Sequence, residues 1–313
     1  MQPVPESQTA SAVLMIRPAH FRANPETAES NAFQTAAGAG AMVARRARAE
    51  FDALVKALRE AGVTVELFED RAEPVSPDAV FPNNWVTFHA DGRACLYPLL
   101  AQNRRSERRA DILTALQKER GYRLTQVEDL SGAERDGRYL EGTGSLVLDR
   151  PHRIAYACLS PRTDVKLLAE WAGRMGYANL AFHARDAAGK LIYHTNVMLC
   201  IGDRFAVLCL DSIAERAERA RVASRLAETG HEIIAISLAE MRAFAGNMLQ
   251  LASRDGGSVL AMSARAAAAL SGAQRAALAK YSRIVTSPIE TIEDHSGGSV
   301  RCMLAEIFLP RDA

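Results

Sequence analysis

Apolar and polar positions along the 313-residue chain fall into a unit that recurs. Each copy has two apolar or alternating runs split by a short turn signal, then a stretch with helical apolar spacing, then a third apolar run. The first copy reads "AVFPNNWVTFH", turn "ADG", "RACLYPL", helix "RRSERRADILTALQKERG", then "YRLTQV". The second reads "YLEGTGSLVLD", "RPH", "RIAYACLS", helix "DVKLLAEWAGRMG", "YANLAFH". The third reads "IYHTNVMLCI", "GD", "RFAVLCL", helix "AERAERARVASRLAETG", "HEIIAISL", and the fourth "GNMLQLAS", "RDG", "GSVLAMS", helix "AQRAALAKY", "SRIVTSPI". A fifth is divided between the two ends: "SVRCMLAEIFL" supplies its first strand, "SAVLMIRP" its second, followed by the helix "ARRARAEFDALVKALREAG" and the strand "VTVELF".

The helices are amphipathic, as with Phe51, Leu54, Val55 and Leu58 at i, i+3, i+4 and i+7. Gly62, Gly121, Gly176 and Gly230 stand where left-handed caps would end four of them. A ββαβ unit cannot bury its own faces, so five are expected to stack around an axis. Joining strands from both termini would remove the last open sheet edge. The expected fold is therefore α/β: a propeller of five pseudo-symmetric ββαβ units, forming one domain over residues 1–313. Equivalent positions of the first strands would converge on the axis. Those strands carry Asn83, Asn84, Glu141, His194, Asn247 and Cys302.

Cys302 and His194 would then face one another across an axial pocket. A thiolate is a strong nucleophile, and an ordinary Cys titrates near pH 8.5, so a neighbour or the substrate must activate it. His194 is the only histidine at a matching position and could protonate a leaving group. Glu141, before a Gly-Thr-Gly that would let backbone approach a ligand, could orient His194 or accept a substrate N–H.

Composition narrows the options. The 38 basic and 37 acidic residues balance, so neither nucleic acid nor an acidic membrane is favoured as a partner. No apolar run reaches the roughly 20 residues of a membrane helix, and the N-terminus lacks the pattern of a signal peptide, which points to the cytoplasm. Five cysteines without CxxC spacing argue against a disulfide framework or a zinc site. Cys95, Cys158, Cys200 and Cys209 sit in apolar text and read as core residues. "GTGS" is no dinucleotide loop, because Val147 replaces the third glycine and a strand follows. "GAG" at 38–40 reads as a flexible loop.

The motifs resemble those of the guanidine-modifying enzymes of the pentein fold, the arginine deiminases and dimethylarginine hydrolases. "PDAVFPNNW" is similar to their "PDSVFVED", "LEGTG" to "LEGGD", "YHTN" to "HLD", "LSPRTD" to "LSxRTN", and "GGSVRCM" to the terminal "GG…HC". Within that superfamily "MIRPAHFRANPETAESNAFQ", "FPNNWVTFHADG" and "GGSVRCMLAEIFLP" resemble the citrulline-utilisation hydrolases, over Val13 to Pro310. The resemblance implies Cys302 as nucleophile, His194 as acid/base and Glu141 as its acidic partner. It implies that Arg162 holds the substrate α-carboxylate, that Arg104 or its neighbour Arg105 makes a second contact, and that Asp78 lies near the amino-acid or guanidine end. It implies no metal and no organic cofactor, and a small amino acid as the partner. Oligomeric state stays open, a homo-oligomer included.

One departure from the family pattern is informative. Guanidine-processing members have carboxylates where this chain has Asn84 and Asn196, with Asn83 beside the first. An amide donates as well as accepts and is neutral, which suits the ureido group of citrulline better than a guanidinium. The expected reaction is hydrolysis of citrulline to ornithine, ammonia and carbon dioxide through an S-carbamoyl cysteine. The alternatives are a deiminase or dimethylarginine hydrolase acting on a guanidine, and a non-enzymatic pentein that binds ribosomes. Residues 22–34 read equally as a lid or a surface loop, and His295 as a turn residue.

Overall fold

The computed structural model describes residues 6–36 and 40–311. Gly38, in the "GAG" stretch, lies outside them. Strand β1 (Ala12–Arg17) runs parallel to β2 (Thr64–Glu69), with the helix Ala41–Glu60 crossing between them. The other edge of β1 pairs antiparallel with the last strand, β15 (Ala305–Ile307), in the register Val13 to Glu306 and Leu14 to Ala305. The chain's two ends thus complete one sheet, as the split repeat requires.

The other four sheets repeat this arrangement. In each, a short first strand pairs antiparallel with a middle strand, and the middle strand pairs parallel with a third. They are β3 (Val86–Phe88), β4 (Arg93–Leu96) and β5 (Gln126–Asp129), then β6 (Val147–Asp149), β7 (Ile154–Cys158) and β8 (Ala178–Phe182). The last two are β9 (Leu199–Ile201), β10 (Phe205–Leu208) and β11 (Glu232–Ala235), and β12 (Leu249–Ala252), β13 (Ser258–Ser263) and β14 (Arg283–Ser287). Crossing helices lie at Ala110–Lys118, Val165–Met175 and Arg216–Glu228, while the fourth unit uses two short ones, Ala264–Ala269 and Gly272–Ala279.

The expected helical stripes are the buried ones. Helix Ala41–Glu60 buries Ala47, Phe51, Leu54, Val55 and Leu58, each large side chain stabilising the fold by about 1.5–3 kcal/mol. The four glycine caps all have positive φ. At Gly176, φ is 72° and the backbone N–H closes helix Val165–Met175 onto Ala172 O. No helix among the described residues is long and apolar enough to cross a membrane.

One expectation needs correcting. The polar residues assigned to the first strands are not in strands. Each unit's first strand is only three or four residues long. In four units a single helical turn precedes it: Pro82–Asn84, Gly142–Ser145, Thr195–Val197 and Val300–Met303. The reason is local. Pro82 has no N–H for a sheet ladder, and Gly142 holds φ at 46°, outside strand geometry. These turns contact one another, Pro82–Asn84 touching both Gly142–Ser145 and Val300–Met303, and Gly142–Ser145 touching Thr195–Val197.

Candidate active site

The turns bring their polar side chains into one buried cluster. Cys302 lies inside the turn Val300–Met303, and Asn84 at the end of Pro82–Asn84. His194 and Glu141 immediately precede their turns, His194 with extended backbone and Glu141 at φ −90°, ψ 71°, and both side chains are buried in the cluster. Close packing requires small residues. A Cβ on Gly144 would stand 2.6 Å from both Asn84 Nδ2 and His194 Nδ1, and one on Gly142 would stand 2.2 Å from Asn83 O. The Gly-Thr-Gly was expected to admit a ligand; it instead admits the neighbouring unit's turn.

His194 Nε2 lies 2.8 Å from Glu141 Oε2, which makes Nε2 the protonated nitrogen and leaves Nδ1 free. Glu141 Oε1 accepts the Leu100 N–H at 3.0 Å, and Oε2 lies 3.5 Å from Arg162 Nη1 and 3.9 Å from Arg104 Nη1. Burial alone would raise the Glu141 pKa, but Arg162, His194 and Arg104 hold it well below the usual carboxylate range. Burial pushes His194 down to about 4 against the pull of Glu141. At neutral pH the pair is an ionised carboxylate and a neutral imidazole.

Arg104 makes a two-pronged ion pair with Glu107, both contacts 2.9 Å, and donates from Nη1 to Asn84 Oδ1 at 3.0 Å. Burial raises Glu107 to about 7 in spite of that partner. Asp78 lies 3.7 Å from Arg104 and accepts from Asn24 Nδ2 at 2.7 Å, while its Oδ1 has no partner among the described residues. Burial raises its pKa, opposed by Arg104 and Asn24. Arg162 stacks on Tyr193 at 5.0 Å and donates to Ser30 Oγ at 2.6 Å and 3.1 Å.

The nucleophile candidate is enclosed by amides. Asn196 Nδ2 is 3.4 Å and Asn247 Nδ2 3.3 Å from Cys302 Sγ. Cys302, His194, Asp78, Asn84, Arg104 and Arg162 all line one cavity, closed further by Tyr193 and by Thr27 and Asn31 of segment 22–34. Its volume is about 20 Å³, room for about one water and not for an amino acid.

Most expected residues therefore meet here. Arg104 is the inward arginine; Arg105 turns away to Glu134 at 3.2 Å and is partly exposed. Asn83 is buried but does not line the cavity, and Glu141 and Asn196 reach it only through His194 and Cys302. His295 belongs to the short helix Glu290–Ser296, where Nδ1 lies 3.0 Å from Thr291 O, outside the cavity lining. Sequence reasoning missed Tyr193, Glu107 and the role of Asn247. Tyr193 and Glu107 each sit close to an assigned residue, and Asn247 shares a repeat position with Asn84. No group of three or more His, Cys, Asp or Glu among the described residues could hold a metal ion.

A family model described as N,N dimethylarginine dimethylhydrolase, eukaryotic, matches residues 17–309. The chain belongs to that family. Its fold is similar to that of ArgZ, an arginine dihydrolase from the ornithine-ammonia cycle in cyanobacteria, at TM-score 0.74 and 17% identity. The match covers 96% of this chain and 41% of ArgZ, so this chain spans about two fifths of that protein. Against the N-terminal domain of an ArgZ variant covalently bound to a reaction intermediate, coverage is 96% of this chain and 99% of that one, at TM-score 0.71 and 17% identity. A dimethylarginine dimethylaminohydrolase variant carrying an S-methyl-L-thiocitrulline adduct gives TM-score 0.65, 15% identity, and coverage of 95% and 100%. Together these place the family member in the pentein superfamily of arginine-deiminase- and amidinotransferase-related hydrolases. No curated protein matches the sequence.

Proposed function

We propose that this chain is a cysteine-dependent hydrolase of the ureido group of citrulline, giving ornithine, ammonia and carbon dioxide. We read it as one propeller domain with the site on its axis. One observation carries the choice of substrate. Arg104 Nη1 has only protons to offer, so it fixes Asn84 with Oδ1 toward itself. That leaves Asn84 Nδ2, buried and without a partner among the described residues, as the free group in the cavity. A free donor seeks an acceptor. A ureido group has a carbonyl oxygen to accept it, and a guanidinium has only donors.

The chemistry follows from the protonation states. Cys302 Sγ attacks the ureido carbon while its proton passes to His194 Nδ1, and Glu141 at Nε2 stabilises the imidazolium so formed. Asn84 Nδ2 donates to the carbonyl oxygen as it becomes an oxyanion. The imidazolium protonates the departing δ-amine, the C–N bond breaks, and an S-carbamoyl thiolester remains. A water deprotonated by His194 then displaces the thiolate and releases carbamate, which decomposes to ammonia and carbon dioxide. Arg162 clamps the substrate α-carboxylate, and Asp78 Oδ1 accepts from its α-ammonium. The cavity is smaller than citrulline, and since Thr27 and Asn31 stand on its wall, residues 22–34 are the segment we propose moves aside to admit the substrate.

A second reading, hydrolysis of a guanidine, draws on the family model and on the arginine dihydrolase neighbour. Amino-acid analysis after separate incubation with citrulline and with arginine decides between them, with Cys302→Ala as the blank. Ornithine from citrulline, with arginine untouched, is expected. Citrulline formed from arginine would favour the second reading, and activity retained by Cys302→Ala would remove the nucleophile from both.

A further inference from the structure

The fourth unit has no part in the mechanism above, yet its Asn247 is wholly buried against the sulfur. Its amide has only one possible orientation. Oδ1 accepts the backbone N–H of Arg301 at 3.0 Å, and Nδ2 donates to the backbone carbonyl of Asn196 at 2.9 Å. A backbone N–H only donates and a carbonyl only accepts, so exchanging O and N would break both contacts. Nδ2 has two hydrogens. One serves Asn196 O, and the other faces Cys302 Sγ at 3.3 Å. Oδ1 accepts the Arg301 N–H with one lone pair and can accept the Cys302 thiol proton with the other, at the longer distance of 3.8 Å.

The nearer group offered to sulfur is a donor, and once the thiol proton leaves, the Oδ1 contact has nothing to accept while the Nδ2 contact strengthens. A thiol seeks an acceptor for its proton, whereas a thiolate seeks donors. Asn196 Nδ2 lies at a similar distance, but its Oδ1 has no partner among the described residues, so no second contact fixes which way that amide points.

We infer that Asn247 is a catalytic residue contributed by the fourth unit: its N–H stabilises negative charge on the Cys302 sulfur as the thiol proton leaves. The same side chain grips Arg301 N–H, in the turn that carries Cys302, and so sets where the sulfur points. This rests on the proposed function only in taking Cys302 as the nucleophile. The identity of the substrate does not enter.

The test is a spectroscopic titration without substrate. Thiolate absorbance in the ultraviolet is followed against pH for the whole chain, with the Cys302→Ala spectrum subtracted. The same is done for Asn247→Asp, which keeps the acceptor for Arg301 and the side-chain shape but has no N–H for sulfur. His194, Asp78, Arg104, Arg162 and Tyr193, which share the cavity wall with Cys302, and Glu141 behind His194 are unchanged in both proteins and cancel to first order; the carboxylate that replaces the amide does not. The thiolate rise in Asn247→Asp is expected at a pH higher by about one unit or more, with kcat reduced about tenfold or more. Superimposable titrations would overturn the inference. The new carboxylate would itself raise the thiol pKa, so the neutral Asn247→Ser, whose hydroxyl is too short to reach the sulfur and whose fold is checked by circular dichroism, must show the same upward shift. An Asn247→Ser titration that overlays that of the unchanged chain would overturn the inference whatever Asn247→Asp does. A shift without citrulline turnover would leave this inference standing and remove only the choice of substrate.

Discussion

Replacing Asn84 by Asp tests the reasoning about substrate where it is most exposed. Arg104 keeps its acceptor in the variant, so the contact now made at 3.0 Å survives as a charged hydrogen bond. The other oxygen takes the place of Nδ2, beside His194 Nδ1, since a Cβ on Gly144 would touch both groups. Two effects then compete. Loss of a donor aimed at the developing oxyanion costs about 2.7–4 kcal/mol. A carboxylate near the imidazole favours its protonated form by about one pKa unit, or about 1.4 kcal/mol, which helps the proton leave sulfur. The loss is larger, leaving a net penalty of about 1.3–2.6 kcal/mol, or about tenfold to a hundredfold in kcat/KM for citrulline. Ornithine release is measured well below KM, with a thermal melt to confirm folding. The arginine reaction, followed in parallel, is expected to gain relative to citrulline. Citrulline kcat/KM unchanged in a folded Asn84→Asp protein would refute the argument from Asn84 orientation.

Three further outcomes are expected. Glu141→Gln removes the charge that stabilises the imidazolium, so kcat falls by about 10²–10⁴-fold with little change in KM; steady-state kinetics on citrulline check this. Because burial pushes His194 down to about 4, it stays unprotonated as pH falls through 6.5, and kcat/KM keeps its acid-side plateau to about pH 5; a pH–rate profile with an acid limb centred near 6.5 would contradict this. Gly144→Ala places a Cβ 2.6 Å from Asn84 Nδ2 and His194 Nδ1, so one of them must move; kcat is expected to drop about a hundredfold, with about 1–3 kcal/mol lost in a denaturant titration.

The sequence made the repeat legible because strand and helix text carry periodicity. The split fifth unit was equally visible, since the end strands match the other units and pair as expected. The helical turns were not visible. A turn of three or four residues shows no period, and apolar residues around it extend the look of the strand. "AVFPNNWVTFH" reads as one strand, yet only Val86–Phe88 is one. Pro82 within that run, and the glycines of "EGTG", were the breakers that marked the turns. The expected residues still meet in spite of the error, because the turns that lead into the first strands pack against one another. Which arginine faces inward lay beyond sequence, since Arg104 and Arg105 are adjacent and only packing against Glu107 and Asn84 separates them.

Charge supplies an argument for the ureido substrate independent of Asn84. Of the cavity-lining residues, Arg104 and Arg162 are cationic and Asp78 is the sole carboxylate; Glu141 and Glu107 stand behind the arginines. A guanidinium head would add a third cation to this wall. At about 6 Å and an effective dielectric near 20, each like-charge pair costs about 3 kcal/mol, offset in part by Glu107 and Glu141 behind the arginines. Burial further weakens Asp78 as a counter-ion by raising its pKa. A neutral ureido head meets none of this, and the carboxylate at the other end of citrulline still finds Arg162. The proton inventory agrees: a neutral substrate and a neutral His194 need one mobile proton, and the thiol supplies it.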